Sequence, residues 1–145
     1  MKLLKMRGPN CLLYSTAMLL GEDVDVLVRE LGHDGMEQVW NLPAPRCFRS
    51  FHIQEIIDCF ISRGFGLMPI EANPLIASDE SVRAIPVYES PYARMMLKIM
   101  GQEAILIMSG HACAWNGEQV YDPNGAIKKI TDYGIIEAWI KVKMI

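Results

Sequence analysis

The chain lacks any surplus of positive charge: 14 Lys and Arg stand against 17 Asp and Glu, a net charge of −3. Binding to a phosphate backbone needs clustered cations, so no nucleic-acid partner is expected. An uninterrupted apolar run of the roughly 20 residues that a membrane span requires is also missing, so no membrane partner is expected. The apolar stretch Cys11 to Leu20 follows Lys2, Lys5 and Arg7, as in a secretory signal. However, Arg7-Gly8-Pro9-Asn10 interrupts the approach, Tyr14, Ser15 and Thr16 lie inside the run, and no A-x-A cleavage pattern follows. The four cysteines are Cys11, Cys47, Cys59 and Cys113, and no two have the C-x-x-C spacing of a zinc knuckle or a dithiol redox centre. Scattered thiols in a chain with ample apolar material are expected to be reduced, which points to a cytoplasmic protein. No cofactor and no metal are expected. His111, Cys113 and Asp122 could imitate part of a ligand set, but a fourth donor is not visible.

What is present is core. The 145 residues are 51% hydrophobic and only 21% charged, enough for one domain spanning 1–145 and too apolar for disorder. Asn10 is placed to cap a helix over Cys11 to Leu20 that Gly21 ends, and its apolar residues lie nearly all round, as in a buried central helix. Asp23 and Gly32 bracket a helix over Val24 to Leu31. Residues His33 to Arg49, with Gly35, Pro43 and Pro45, read as a long loop. An apolar stripe at helical spacing predicts a helix over Phe51 to Arg63. Phe65 to Ile70 reads as a strand, placed at an edge by Pro69. After an irregular stretch over 71–83 come a short strand at Ala84 to Tyr88, a helix from Ser90-Pro91 to about Met100 and a buried strand at Ala104 to Met108. His111 to Trp115 and Glu118 to Asp122 read as a hairpin about Asn116-Gly117. A turn at Asp122–Gly125, a short helix near Asp132 to Ala138 and a strand near Trp139 to Lys143 complete the chain. Helices first and antiparallel strands after define an α+β class.

The hairpin fixes a geometry. A two-residue loop sets Trp115 opposite Glu118, Cys113 opposite Val120 and His111 opposite Asp122. Directly opposed residues have Cβ atoms about 4.5–5.5 Å apart, close enough for a carboxylate to orient an imidazole and stabilise its cation. The candidate nucleophile is Cys11, at the positive end of the buried helix, where a thiolate is favoured over a thiol. The three bases and no acid among residues 1–10 agree in sign. Free N–H groups at that helix end could receive a developing oxyanion, and Asn10 is a candidate side-chain donor. Cys59 and Cys113 read as core, His33 and His52 as loop and cap, and Ser15 and Thr16 as bonding back to helix carbonyls.

The run Asn10-Cys11-Leu12-Leu13-Tyr14-Ser15-Thr16-Ala17-Met18-Leu19-Leu20 resembles the cysteine helix of papain-like peptidases. The closest likeness is to the C39-type group, which cleaves leader peptides after a double glycine. Gly110-His111-Ala112-Cys113-Ala114-Trp115 and Val120-Tyr121-Asp122-Pro123-Asn124-Gly125 match that group's His strand and its following Asp-Pro strand in type and order. The resemblance implies a papain-like fold, with the central helix packed on a C-terminal antiparallel sheet. It also implies a cysteine peptidase-like hydrolase with Cys11 as nucleophile, His111 as general base and acid, and Asp122 as orienter. Its substrate would be a peptide or protein, cleaved at a peptide or isopeptide bond. One position departs from the pattern: the Gln that precedes the Cys by five or six residues in that group and completes its oxyanion hole is replaced by Lys5 and Met6. That loss motivates a second expectation, an inactive papain-like binding or inhibitor module, such as a phage or bacterial accessory protein. Acyl transfer or deamidation would use the same triad. The sequence leaves the oligomeric state open. The loops 33–49 and 71–83 are the expected walls of a substrate groove.

Overall fold

The computed structural model describes residues 1–71 and 91–145. The strand expected at Ala84 to Tyr88, the Ser90 cap and almost all of the loop 71–83 lie outside those residues. Helix α1 (Cys11–Leu20) ends at Gly21, whose left-handed φ of 62° lets its N–H reach the carbonyls of Ala17 and Met18. The Asn10 side chain does not cap this helix, contrary to expectation. Its amide Nδ2 donates instead to the carbonyl of Asp34 at 3.0 Å. Gly35 makes that possible: a Cβ there would stand 2.8 Å from Asn10 Oδ1. Helix α2 (Val24–Leu31) is capped as expected, with the Asp23 carboxylate accepting the Asp25 N–H at 3.3 Å. Helix α3 (Ile53–Ile61) is shorter than the apolar stripe predicts. Phe51 stays outside it because its ring is buried against His33, with centroids 4.4 Å apart.

The strands form one antiparallel sheet. In chain order they are β1 (Phe65–Glu71), β2 (Ala104–Met108), β3 (His111–Trp115), β4 (Val120–Asp122), β5 (Ala126–Lys128) and β6 (Ile135–Lys143), and the spatial order is β1-β6-β2-β3-β4-β5. Among the described residues β1 is an edge of the sheet, as expected from Pro69. Helix α4 (Pro91–Ile99) comes between β1 and β2 in the chain. Mixed helices and an antiparallel sheet make the class α+β. Alternation along β2 and β3 feeds two cores. Ile105, Ala112 and Ala114 pack with α1, α2 and α3, while Ala104, Leu106, Cys113 and Trp115 pack with Met95 and Ile99 of α4.

Two expectations about the C-terminal half are corrected. In place of a helix over Asp132 to Ala138 there is one 3-10 turn, Ile130–Asp132, after which the chain is already extended at Ile135. β6 is hydrogen-bonded on both sides, with Ile140 facing Ala104 on β2 and Met68 on β1. Two-sided pairing overrides a weak local helical pattern. The hairpin also has a different register: Trp115 pairs with Val120 and Ala114 with Tyr121. Asn116 builds a four-residue turn itself. Its Oδ1 accepts the N–H groups of Glu118 (2.9 Å) and Gln119 (2.7 Å), and its own N–H donates to the Gln119 carbonyl. A slip of one residue would have exchanged the faces, whereas a slip of two preserves them. Continued outward, the observed register sets Cys113 rather than His111 opposite Asp122, with His111 as the diagonal neighbour.

Candidate active site

Three tethers bring the start of α1 to the start of β3. Inside the core, the Ser15 hydroxyl donates to the Ala112 carbonyl at 3.2 Å, a cross-element bond where only a helix back-bond was expected. Thr16 does make that back-bond, to Leu12 at 2.8 Å. The N-terminal segment crosses the turn after β4, where the Met6 N–H donates to the Pro123 carbonyl and Lys5 bridges Asn124. Cys11 and His111 consequently line one groove of about 560 Å3. The long loop after α2 forms a wall of it, through Pro45, Arg46 and Phe48 within the expected 33–49 and Ser50 just beyond. A smaller cavity of about 350 Å3 at the other end of α1 is lined by Lys2, Glu22 and Asp23 and holds no nucleophile.

The predicted His–Asp pair is present. His111 Nε2 lies 2.9 Å from Asp122 Oδ1, so the diagonal position in the shifted register is within reach. Asp122 is buried, at 2% exposure. Its Oδ1 also accepts the Asn124 N–H at 2.9 Å, and its Oδ2 accepts the Tyr133 hydroxyl at 2.7 Å. Burial alone would push the Asp122 pKa up, but these donors outweigh it and hold the carboxyl below its ordinary value. Tyr133 is pushed up in turn, by burial and by donating to that carboxylate. The imidazole of His111 is raised well above its ordinary range. The Cys11 sulfur beside the ring is the largest cause, followed by that of Cys113, and together they outweigh desolvation.

The backbone N–H groups of Cys11, Leu12 and Leu13 have no acceptor among the described residues, because Asn10 supplies only its carbonyl, to Tyr14. They remain available beside the sulfur. Asn10 itself, the candidate side-chain donor, is 6% exposed and is turned to Asp34, and it is not among the residues that line the groove. Met6, one of the two places (with Lys5) where the resembled group would carry its Gln, does line it. Cys47 and Cys59 are buried and do not line the groove, and burial pushes the Cys59 thiol up to about 11. His33 is held by Glu55 at 2.7 Å, as a structural pair. Tyr133 was not foreseen: it falls in a segment read as helix, eleven residues from Asp122, and no local pattern marks it.

No metal was expected here, yet donor atoms of His111, Cys113 and Asp122 lie within 4.8 Å of one another. These three, among the described residues, could hold an ion. Among the described residues, no helix is long and apolar enough to cross a membrane. Comparison with protein-family models, with curated proteins and with solved structures finds no match in any of the three.

Proposed function

We propose that this protein is a papain-like cysteine hydrolase that attacks a peptide or isopeptide bond in a peptide or protein substrate. The observation that carries the reading is the position of His111. One ring nitrogen is bonded to a buried Asp122 that accepts two further donors, and the ring shares an open groove with Cys11, whose sulfur raises the pKa of the imidazole. Asp122 commits Nε2 as a donor, which leaves Nδ1 to exchange a proton with the Cys11 sulfur. The sulfur attacks the scissile carbonyl carbon. The oxygen that becomes negative is received by the free N–H groups at the start of α1, helped by the positive end of the helix. His111 then protonates the leaving amine, and water, deprotonated by the same ring, releases the acyl group from Cys11.

Alkylation by iodoacetamide at pH 7 tests this. A free thiol with an ordinary pKa is only a few per cent ionised at that pH, so an imidazole-paired thiolate should react on the order of tenfold faster. Cys11 should label at that rate, and His111→Ala should abolish the advantage. Cys11 reacting no faster than a model thiol overturns the reading. The absence of a side-chain amide donor at Lys5 and Met6 favours a second reading, in which the same cleft binds a protein without turnover. A Cys11→Ala variant that keeps full biological activity would select it.

A further inference from the structure

Cys113 has no part in the hydrolytic scheme, although it meets the same ring as Cys11. We propose that His111, Cys113 and Asp122 form a binding site for a thiophilic divalent cation of the zinc class, and that the ion and the catalytic Cys11–His111 pair compete for His111. Three observations on this chain support it. The donor atoms lie within 4.8 Å of one another, whereas ligands around a tetrahedral zinc are separated by about 3.3–3.8 Å. Closing the cluster therefore takes shifts on the order of 1 Å. The donor set is one sulfur, one imidazole nitrogen and one carboxylate oxygen, which selects zinc or cadmium over magnesium or calcium. One thiolate and one carboxylate balance the two charges of the ion in a place where Cys113 is 0% exposed and Asp122 2%, and a buried ion needs that neutrality. His111 lines the groove, so the ion reaches the cluster from the groove side.

Binding exchanges protons for metal. The Cys113 thiol gives up its proton to solvent, His111 gives up the proton it shares with Asp122, and the ion takes the freed sulfur, nitrogen and oxygen lone pairs. The site does not depend on the proposed hydrolysis. Only the competition rests on that reading.

Cadmium provides the probe, because its thiolate bond gives an ultraviolet charge-transfer band. Titrating the full chain should give a band saturating at one ion per chain, and zinc should displace it. Cys113→Ala should lose the band and weaken zinc binding, measured against a chromophoric chelator, by more than about 100-fold, since even outer partners of metal ligands are worth 10–100-fold. His111→Ala, at a partly exposed position, should weaken binding to a similar degree and serves if the core substitution fails to fold. Cys59→Ala should change nothing. Unchanged zinc affinity in a folded Cys113→Ala or His111→Ala overturns the site, as does loss of the band in Cys59→Ala. Saturating zinc should also slow Cys11 alkylation in the wild-type chain. If cadmium binds through Cys113 while Cys11 is no more reactive than a free thiol, the metal site stands and the hydrolase reading fails. If Cys11 is fast and no band forms, the reverse holds.

Discussion

Asp122 is the residue on which the site turns, because it accepts three donors at once and none of them is optional to a buried carboxylate. Removing the hydroxyl in Tyr133→Phe leaves one oxygen under-satisfied. A hydrogen bond to a charged group contributes about 1.5–3 kcal/mol, and chemical denaturation should show a loss of that size. The pH dependence has a definite sign. Asp122 is held below its ordinary pKa in the folded state, so its contribution is present above the unfolded value and is lost as pH falls through the folded one. In Tyr133→Phe the folded-state value rises toward the unfolded one, so the acid loss should be smaller and complete at a higher pH, visible in acid titrations of stability and in the Asp122 carboxyl resonance. An unchanged titration would show that the hydroxyl does not position the carboxylate. The sequence made His111 and Asp122 legible as a pair because both lie on short strands about a strong turn signal. It did not reveal Tyr133, whose contact with Asp122 depends on how β5 and the 3-10 turn fold back.

At the scale of elements, the hairpin illustrates how far turn rules reach. Asn116-Gly117 announces a turn but not its length, and the Asn116 side chain decides that by capturing two N–H groups beyond the glycine. Gly117 has a φ of 98°, and a Cβ there would be 3.0 Å from the Gly101 backbone. Gly117→Ala should therefore destabilise by about 1–2 kcal/mol or more from backbone strain alone. Gly134→Ala, where a Cβ meets nothing within 4 Å and φ is not positive, should be close to neutral. Comparing their melting temperatures checks the claim. Helix α1 tests the other direction. Ser15→Ala removes the bond to Ala112 and should cost about 1 kcal/mol. It should also slow Cys11 alkylation, because that bond holds α1 against β3. Both helix ends of α2 and the glycine end of α1 were readable from capping chemistry. The first four residues of β6, 135–138, were not readable as strand, since a strand with partners on both sides needs no local pattern of its own.

For the molecule as a whole, stability should be bounded on both sides by identified groups. Glu55 and Asp122 are lowered in the folded state, in each case with burial opposed by hydrogen-bond donors, so stability should fall below about pH 4 as their unfolded counterparts take up protons. Cys59 and Cys113 are raised by burial. Their contribution is present below the unfolded thiol value near 9.0 and is lost as pH rises past it, because only the unfolded chain can ionise them. A melting-temperature profile should decline on both limbs, and Cys59→Ala should flatten the alkaline one. The α+β class and the placement of most elements were legible because composition and capping act locally. The two-sided packing of the sheet was not, because it depends on which elements meet.

The fold also governs when the sulfur first meets its ring. Cys11 and His111 are 100 positions apart, and the N-terminal segment is held in place by Pro123 and Asn124. At ribosomal speeds of about 5–20 residues per second, the thiol waits on the order of 5–20 s for its partner to be made. On the proposed hydrolase reading, the Cys11 thiol is without its imidazole partner until the last third of the chain has been made.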